Sequence, residues 1–259
     1  MIVEYHRPHT MEEALALLSR KTPRTVPLGG GTFLNRGRFT ADESTFAVID
    51  LQGLDLAWIE PVGNILAVGA MATLQDLWDR DNLPLAVRQA LQHELNFNLR
   101  QVASLAGFLV AADGRSALAT LLLAMDARLV WAPGEKEISL GDWLPLRGDP
   151  NTEKPGSLIL SVKIPLQSKV AFAAVSRSPL DWPLVCSAVA QWPSGRTRLA
   201  LGGFGRSPVL AMDGPGATGT EEAAKDASSQ AGDEWASAEY RESMAGVLTR
   251  RCLNQIEGL

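Results

Sequence analysis

Cysteine is scarce in this chain: its 259 residues include two, Cys186 and Cys252. Two isolated thiols cannot hold a four-thiolate iron–sulfur cluster or a cysteine-rich zinc site. With no signal peptide at the N-terminus, they read as reduced, buried thiols of a cytoplasmic protein. Histidine is nearly as rare. His6, His9 and His93 share no spacing with thiols or carboxylates, which argues against a metal site. Basic clusters are also few. The formal charge is −5 and the pI is near 5.3, whereas a nucleic-acid surface normally carries clustered Lys and Arg at high pI. The dense basic spots, at Arg36 and Arg38 and at Arg250 and Arg251, read as solvated surface. Long apolar runs are missing: residues 105–112 and 118–125 are too short to span a bilayer.

What is present is ordinary apolar material and one unusual loop. Hydrophobic residues make up 46% of the chain and charged residues 20%, enough for a core in each of two domains. Residues 25–34 read Thr-Val-Pro-Leu-Gly-Gly-Gly-Thr-Phe-Leu. Glycine allows positive φ and a close approach to the main chain. A run of glycines can turn several N–H groups toward one anion, although a tight turn is the plainer reading of the triplet by itself. A second small-residue stretch, residues 103–116, follows about seventy residues later and ends at the helix-start signal Ser116.

The element order is mixed. Thr10 caps a helix to Leu18, with Glu13 in the capping-box place. Short strands cover 24–28 and 46–50, making a small α/β piece of about 55 residues. Two strands follow at 58–59 and 65–68, then helices after Thr73, over 84–93 and over 117–125, the last apolar on nearly every side. Strands at 127–132, 135–140 and 158–164 close this part. The composition turns polar at 166–170, a candidate boundary. Beyond it lie an antiparallel hairpin, 183–192 with 196–203, an extended stretch at 208–212, and a surface loop or weak helix over 213–232. A long amphipathic helix spans 235–256.

Several stretches together resemble the medium, FAD-binding subunit of the molybdenum hydroxylases, the group of carbon monoxide dehydrogenase and xanthine dehydrogenase. Leu28-Gly29-Gly30-Gly31-Thr32-Phe33 is similar to that family's Ala-Gly-Gly-x-(Ser/Thr/Asp)-Leu. Val68-Gly69-Ala70 with Thr73-Leu74 is similar to its Gly-Ala-x-x-Thr-Leu. The run from Leu99 to Phe108 resembles Ile-Arg-Asn-x-Ala-Thr-Ile-Gly-Gly-Asn, and 121–127 resembles Leu-Leu-Ala-Leu-Asp-Ala. Leu199 to Phe204 and Ser237 to Arg241 resemble its C-terminal domain. The likeness covers nearly the whole chain.

The resemblance implies an α+β fold: an α/β FAD-binding domain, 1–167, in two subdomains of about 1–55 and 56–167, then a domain at 168–259 with an antiparallel three-stranded sheet and helices. It implies an oxidoreductase subunit. Electrons would pass from [2Fe–2S] clusters of a small partner subunit through FAD to an external acceptor such as NAD or a quinone, with a molybdenum-cofactor large subunit as the second partner. The implied cofactor residues are Leu28, Gly29, Gly30, Gly31, Thr32, Phe33, Ser104, Gly107, Phe108, Asp113 and Ile159. Tyr240 and Arg241 are implied to be packing and helix-surface residues. No residue is singled out as a catalytic acid, base or nucleophile, since the chemistry of such a subunit resides in its cofactor.

Two positions depart from the family pattern. Ala106-Gly107-Phe108 stands for Gly-Gly-Asn, and Ala117 stands where a carboxylate is expected on the following helix. They motivate a second reading, a scaffold subunit that keeps the fold and docks its partners without flavin. A third, an unrelated nucleotide-binding module, has little support, because Leu34 stands where Gly-x-Gly-x-x-Gly needs its last glycine.

Overall fold

The computed structural model describes residues 1–34, 45–147, 156–179 and 181–258. The basic pair Arg36 and Arg38 falls outside them. The described elements run β1 (Ile2–His6), α1 (Met11–Leu18), β2 (Arg24–Leu28), β3 (Phe46–Asp50), β4 (Ile59–Val62), β5 (Ile65–Gly69), α2 (Leu74–Trp78), α3 (Leu85–Gln92), α4 (Phe97–Arg100), α5 (Leu105–Ala111) and α6 (Ala117–Ala124). Then come β6 (Arg128–Ala132), β7 (Lys136–Ser139), α7 (Leu140–Trp143), β8 (Leu158–Pro165), β9 (Lys169–Val175), β10 (Val185–Gln191), β11 (Thr197–Gly202), β12 (Val209–Gly214), α8 (Thr220–Ser228) and α9 (Ala238–Glu257). They fall into two compact units interleaved in sequence. One comprises Met1–Asp79, Phe97–Ala111 and Arg128–Lys163; the other comprises Arg80–Asn96, Ala112–Ala127 and Ile164–Leu259. No described helix is long and apolar enough to cross a membrane.

The first unit holds two sheets. The smaller is parallel, in the order β1-β3-β2. Its helix α1 starts where the sequence says: Thr10 Oγ1 accepts from Glu13 N at 3.2 Å. The Glu13 carboxylate reaches one residue further back than a capping box predicts, to His9 N at 3.0 Å. Strand β1 has no counterpart in the sequence reading, because a half-exposed five-residue segment carries little periodicity. The larger sheet has the order β4-β5-β8-β6-β7.

The second unit is built on an antiparallel sheet, β12-β11-β10-β9. The expected hairpin is β10 with β11 and the extended stretch at 208–212 is β12, while β9 at the other edge has no counterpart in the sequence reading. Helices α8 and α9 pack against this sheet, as do α3 and α6. Residues alternate between the two coverings. Val185, Val189, Leu199 and Leu201 join the core with Leu248 and Cys252 of α9. Cys186 and Gly202 instead meet Thr120 of α6. A strand covered on both faces is mainly apolar, and β10 and β11 are buried at all but one position, with Ser187, Thr197 and Arg198 as buried polar residues.

Arg241 departs from its expected place on a helix surface. It is fully buried, 0% exposed. Its guanidinium donates to the carbonyls of Leu184 at 3.1 Å, Gly203 at 3.3 Å and Ala231, and to both carboxylate oxygens of Asp233 at 2.8 and 2.9 Å. It thereby ties the start of α9 to the ends of β10 and β11. Replacing it by Met leaves those carbonyls without a donor. Loss of a buried charged partner of this kind costs about 3 kcal/mol. The expected result is a lower urea midpoint for Arg241→Met with an unchanged slope; an unshifted midpoint would refute the hub role.

Candidate functional site

The first glycine loop leaves the carboxyl end of β2, where Leu28 lies opposite Asp50 of β3. Crevices at the carboxyl ends of parallel strands are favoured ligand sites. A side chain has no room here. A Cβ on Gly29 would lie 2.5 Å from Ser104 Oγ, and one on Gly30 would lie 1.6 Å from the Val102 carbonyl oxygen. Gly31 has φ of 68°, in the left-handed region that favours glycine. Residues 28–33 are all half-buried, so the loop is neither sealed inside nor fully solvated.

The second loop supplies those contacting atoms, and it is itself held by a third segment. Leu74 N donates to Ala103 O at 2.9 Å, Leu105 N to Ala72 O at 2.8 Å, and Ala106 N to Ala70 O at 3.2 Å. Ala70 N in turn donates to Leu160 O at 2.8 Å, which puts Ile159 of β8 one residue from the same tie. In the first turn of α5 the amides of Leu105, Ala106 and Phe108 are thus engaged, Phe108 N by Ser104 O at 2.8 Å. Gly107 is exposed, and its amide makes no such bond among the described residues. Met71 Sδ lies 3.7 Å from the place of a Gly29 Cβ; no sequence signal points to it, because its neighbours come from distant segments.

So Leu28 to Phe33, Ser104, Gly107, Phe108 and Ile159 all belong to the first unit, and the two loops touch. The donor chemistry of the loops fits a diphosphate: main-chain amides, the hydroxyls of Thr32 and Ser104, and no carboxylate in residues 28–33 or 104–108. A dinucleotide such as FAD matches such a set.

Asp113 belongs to the second unit. Its Oδ1 accepts from Arg115 N at 2.9 Å. Near it stands a carboxylate that sequence reasoning missed. Glu94 is 8% exposed and sits at the start of α6, where its Oε1 accepts from Ser116 Oγ at 2.8 Å and Leu118 N at 2.6 Å. Ala117, the position read as lacking an acid, is fully buried between those two donors. Burial pushes the Glu94 carboxyl up to about 7, against the lowering by its two hydrogen bonds, and the Asp113 charge adds to the rise.

Comparisons with known proteins bear on what this geometry serves. Residues 1–167 match the family model described as the FAD binding domain in molybdopterin dehydrogenase. The chain is 32% identical over 213 residues to the uncharacterized protein YgfM of Escherichia coli (strain K12), covering 82% of this chain and 79% of that one. It is 25% identical over 278 residues to the carbon monoxide dehydrogenase medium chain of Afipia carboxidovorans, covering 97% and 96%. Its fold is similar to a chain of the Cu,Mo-CO dehydrogenase, with a TM-score of 0.84, 23% identity and coverage of 100% and 98%. It is also similar to a chain of quinoline 2-oxidoreductase from Pseudomonas putida 86, with a TM-score of 0.78, 22% identity and coverage of 98% and 96%.

The Glu94 environment makes stability depend on pH. Its folded carboxyl, at about 7, lies above the ordinary 4.5. Between those values the folded chain holds a proton that the unfolded chain has released, so this stability is complete below pH 4.5 and lost as pH rises to 7. The effect is on the order of 3 kcal/mol at most. Glu94→Gln removes it. Melting wild type and variant at pH 5 and pH 8 should show the variant gaining on wild type at the higher pH; parallel behaviour would contradict this.

Proposed function

The chain belongs to the family of FAD-binding domains of the molybdopterin dehydrogenases, and on that premise we propose how it works as the flavoprotein subunit of a molybdenum hydroxylase. Electrons arrive from [2Fe–2S] clusters of a small partner subunit and leave to an external acceptor, while a large subunit carries the molybdenum cofactor. FAD, when bound, supplies the redox chemistry. Residues 1–167 carry the cofactor site, and residues 168–259 form the C-terminal domain.

This chain's own residues bind and orient. The amides of Gly29 to Phe33, with the Thr32 and Ser104 hydroxyls and the Gly107 amide, hold the diphosphate. Phe108 and the backbone at Leu28 and Ile159 line the flavin side. The observation that carries the reading is the contact of the two loops, in which the Gly30 backbone abuts the Val102 carbonyl with no space for a Cβ. That contact supports a set of amides fixed before any ligand arrives, which lowers the ordering cost of binding.

The test is flavin content. Purified protein should show the two-banded flavin absorbance and release FAD on denaturation. Thr32→Ala and Ser104→Ala each delete one hydroxyl and should weaken FAD binding about three- to tenfold, with little change in melting temperature. Gly30→Ala should lose flavin and stability together. A colourless protein that gives no heat on FAD addition would instead establish the scaffold reading that Phe108 and Ala117 motivate.

A further inference from the structure

Met71 is half-buried on the segment between β5 and α2, in the first unit. Its Sδ lies 3.7 Å from the place a Gly29 Cβ would take, and Ser104 Oγ lies 2.5 Å from the same place. A thioether and a hydroxyl from two separate segments thus flank one residue of the first glycine loop. The backbone around Met71 is pinned. Its amide donates to Leu56 O at 2.9 Å, the Ala70 carbonyl accepts from Ala106 N at 3.2 Å, and the Ala72 carbonyl accepts from Leu105 N at 2.8 Å. Ala70 and Ala72 are each 1% exposed. Added bulk on the Met71 side chain therefore meets the loop before it shifts its own backbone.

Methionine is an apolar side chain whose polarity a single reaction reverses. As a thioether, Met71 is a soft and weakly accepting wall. As a sulfoxide it would carry a strongly polar S–O group that accepts hydrogen bonds and donates none. The Ser104 hydroxyl is the donor beside it. An oxygen on Met71 Sδ competes for that hydroxyl and brings a negative dipole end to a loop suited to an anion. The extra atom also crowds a loop with no space for a methyl group. Other sulfurs of the chain differ in access. Met125 is fully buried and Met1 is 79% exposed. Cys186 and Cys252 are buried, and burial pushes both thiols up to about 12, away from the reactive thiolate.

We propose that Met71 is a peroxide-sensitive modification site, and that its oxidation unseats the first glycine loop and weakens its hold on FAD. The step is an oxygen transfer from a hydroperoxide. The Met71 sulfur lone pair attacks one peroxide oxygen, and an S–O bond forms as the O–O bond breaks. The other oxygen leaves as water or an alcohol, taking up the proton of the transferred oxygen. Sulfur is oxidised and the peroxide reduced by two electrons. The affinity change rests on the FAD reading; the modification and the loosened loop do not.

The experiment treats the purified full-length chain, stripped of flavin, with hydrogen peroxide, as wild type and as Met71→Leu. Leucine fills a similar volume and cannot be oxidised in this way. Peptide mapping by mass spectrometry reads each methionine, calorimetric titration reads FAD affinity before and after treatment, and melting curves read stability in the same samples. The expected result is sulfoxide at Met71 with a tenfold or greater loss of FAD affinity in wild type, and no comparable loss in Met71→Leu. Three outcomes overturn the proposal: Met71 remaining a thioether while Met1 is oxidised, sulfoxide at Met71 with unchanged FAD affinity, or an equal loss in Met71→Leu. An untreated chain that takes up no FAD defeats the cofactor reading by itself. The Met71 site is then decided by melting: a peroxide-induced drop in wild type that Met71→Leu lacks supports it, and equal drops or none overturn it.

Discussion

Gly29 and Gly30 sit where a methyl group cannot. The neighbouring atoms belong to the protein: the Ser104 hydroxyl and the Val102 carbonyl. The glycines are therefore demanded first by the packing of one loop on another, before any ligand is considered. Everything in the candidate site hangs on that contact. The second loop is bonded to the segment after β5, and that segment to β8, so three stretches far apart in sequence share one hydrogen-bonded scaffold on which the first loop packs. Gly31 then turns the chain through a left-handed residue. A site held this way needs little reorganisation on binding.

The second unit obeys a different constraint. Its two central strands are covered on both faces, so the polar groups that enter need partners, and most have them, the Arg198 Nε being an exception. Arg241 serves three carbonyls and Asp233. Arg198, 4% exposed, sits between Asp126 and Asp213 and donates to Leu123 O. Ser187 Oγ and Thr249 Oγ1 meet at 2.9 Å.

Glu94 shows which effect wins when they compete. Two donors and the positive end of α6 favour its charge, yet burial still drives its carboxyl upward. Desolvation outweighs the hydrogen bonds here because the whole of α6 is buried around it.

Much of the fold was legible in residue order. The cap at Thr10, the capping box of Thr73 with Asp76, the buried helix after Ser116 and the hairpin about Gly195 are local, and local chemistry writes them plainly. The glycine loop and its second partner could be named because small residues stand out against an ordinary composition. Other features had no local signature. Strand β1 exists only because β3 lies beside it, and β9 only because β10 does. Arg241 has the sequence context of a helix surface, and its burial follows from where the ends of β10 and β11 arrive. Glu94 stands twenty-two residues before the serine it holds. Short-range periodicity and capping fix elements one at a time. Which groups share a dielectric, a donor or a cavity is decided by the long-range packing that brings those elements together.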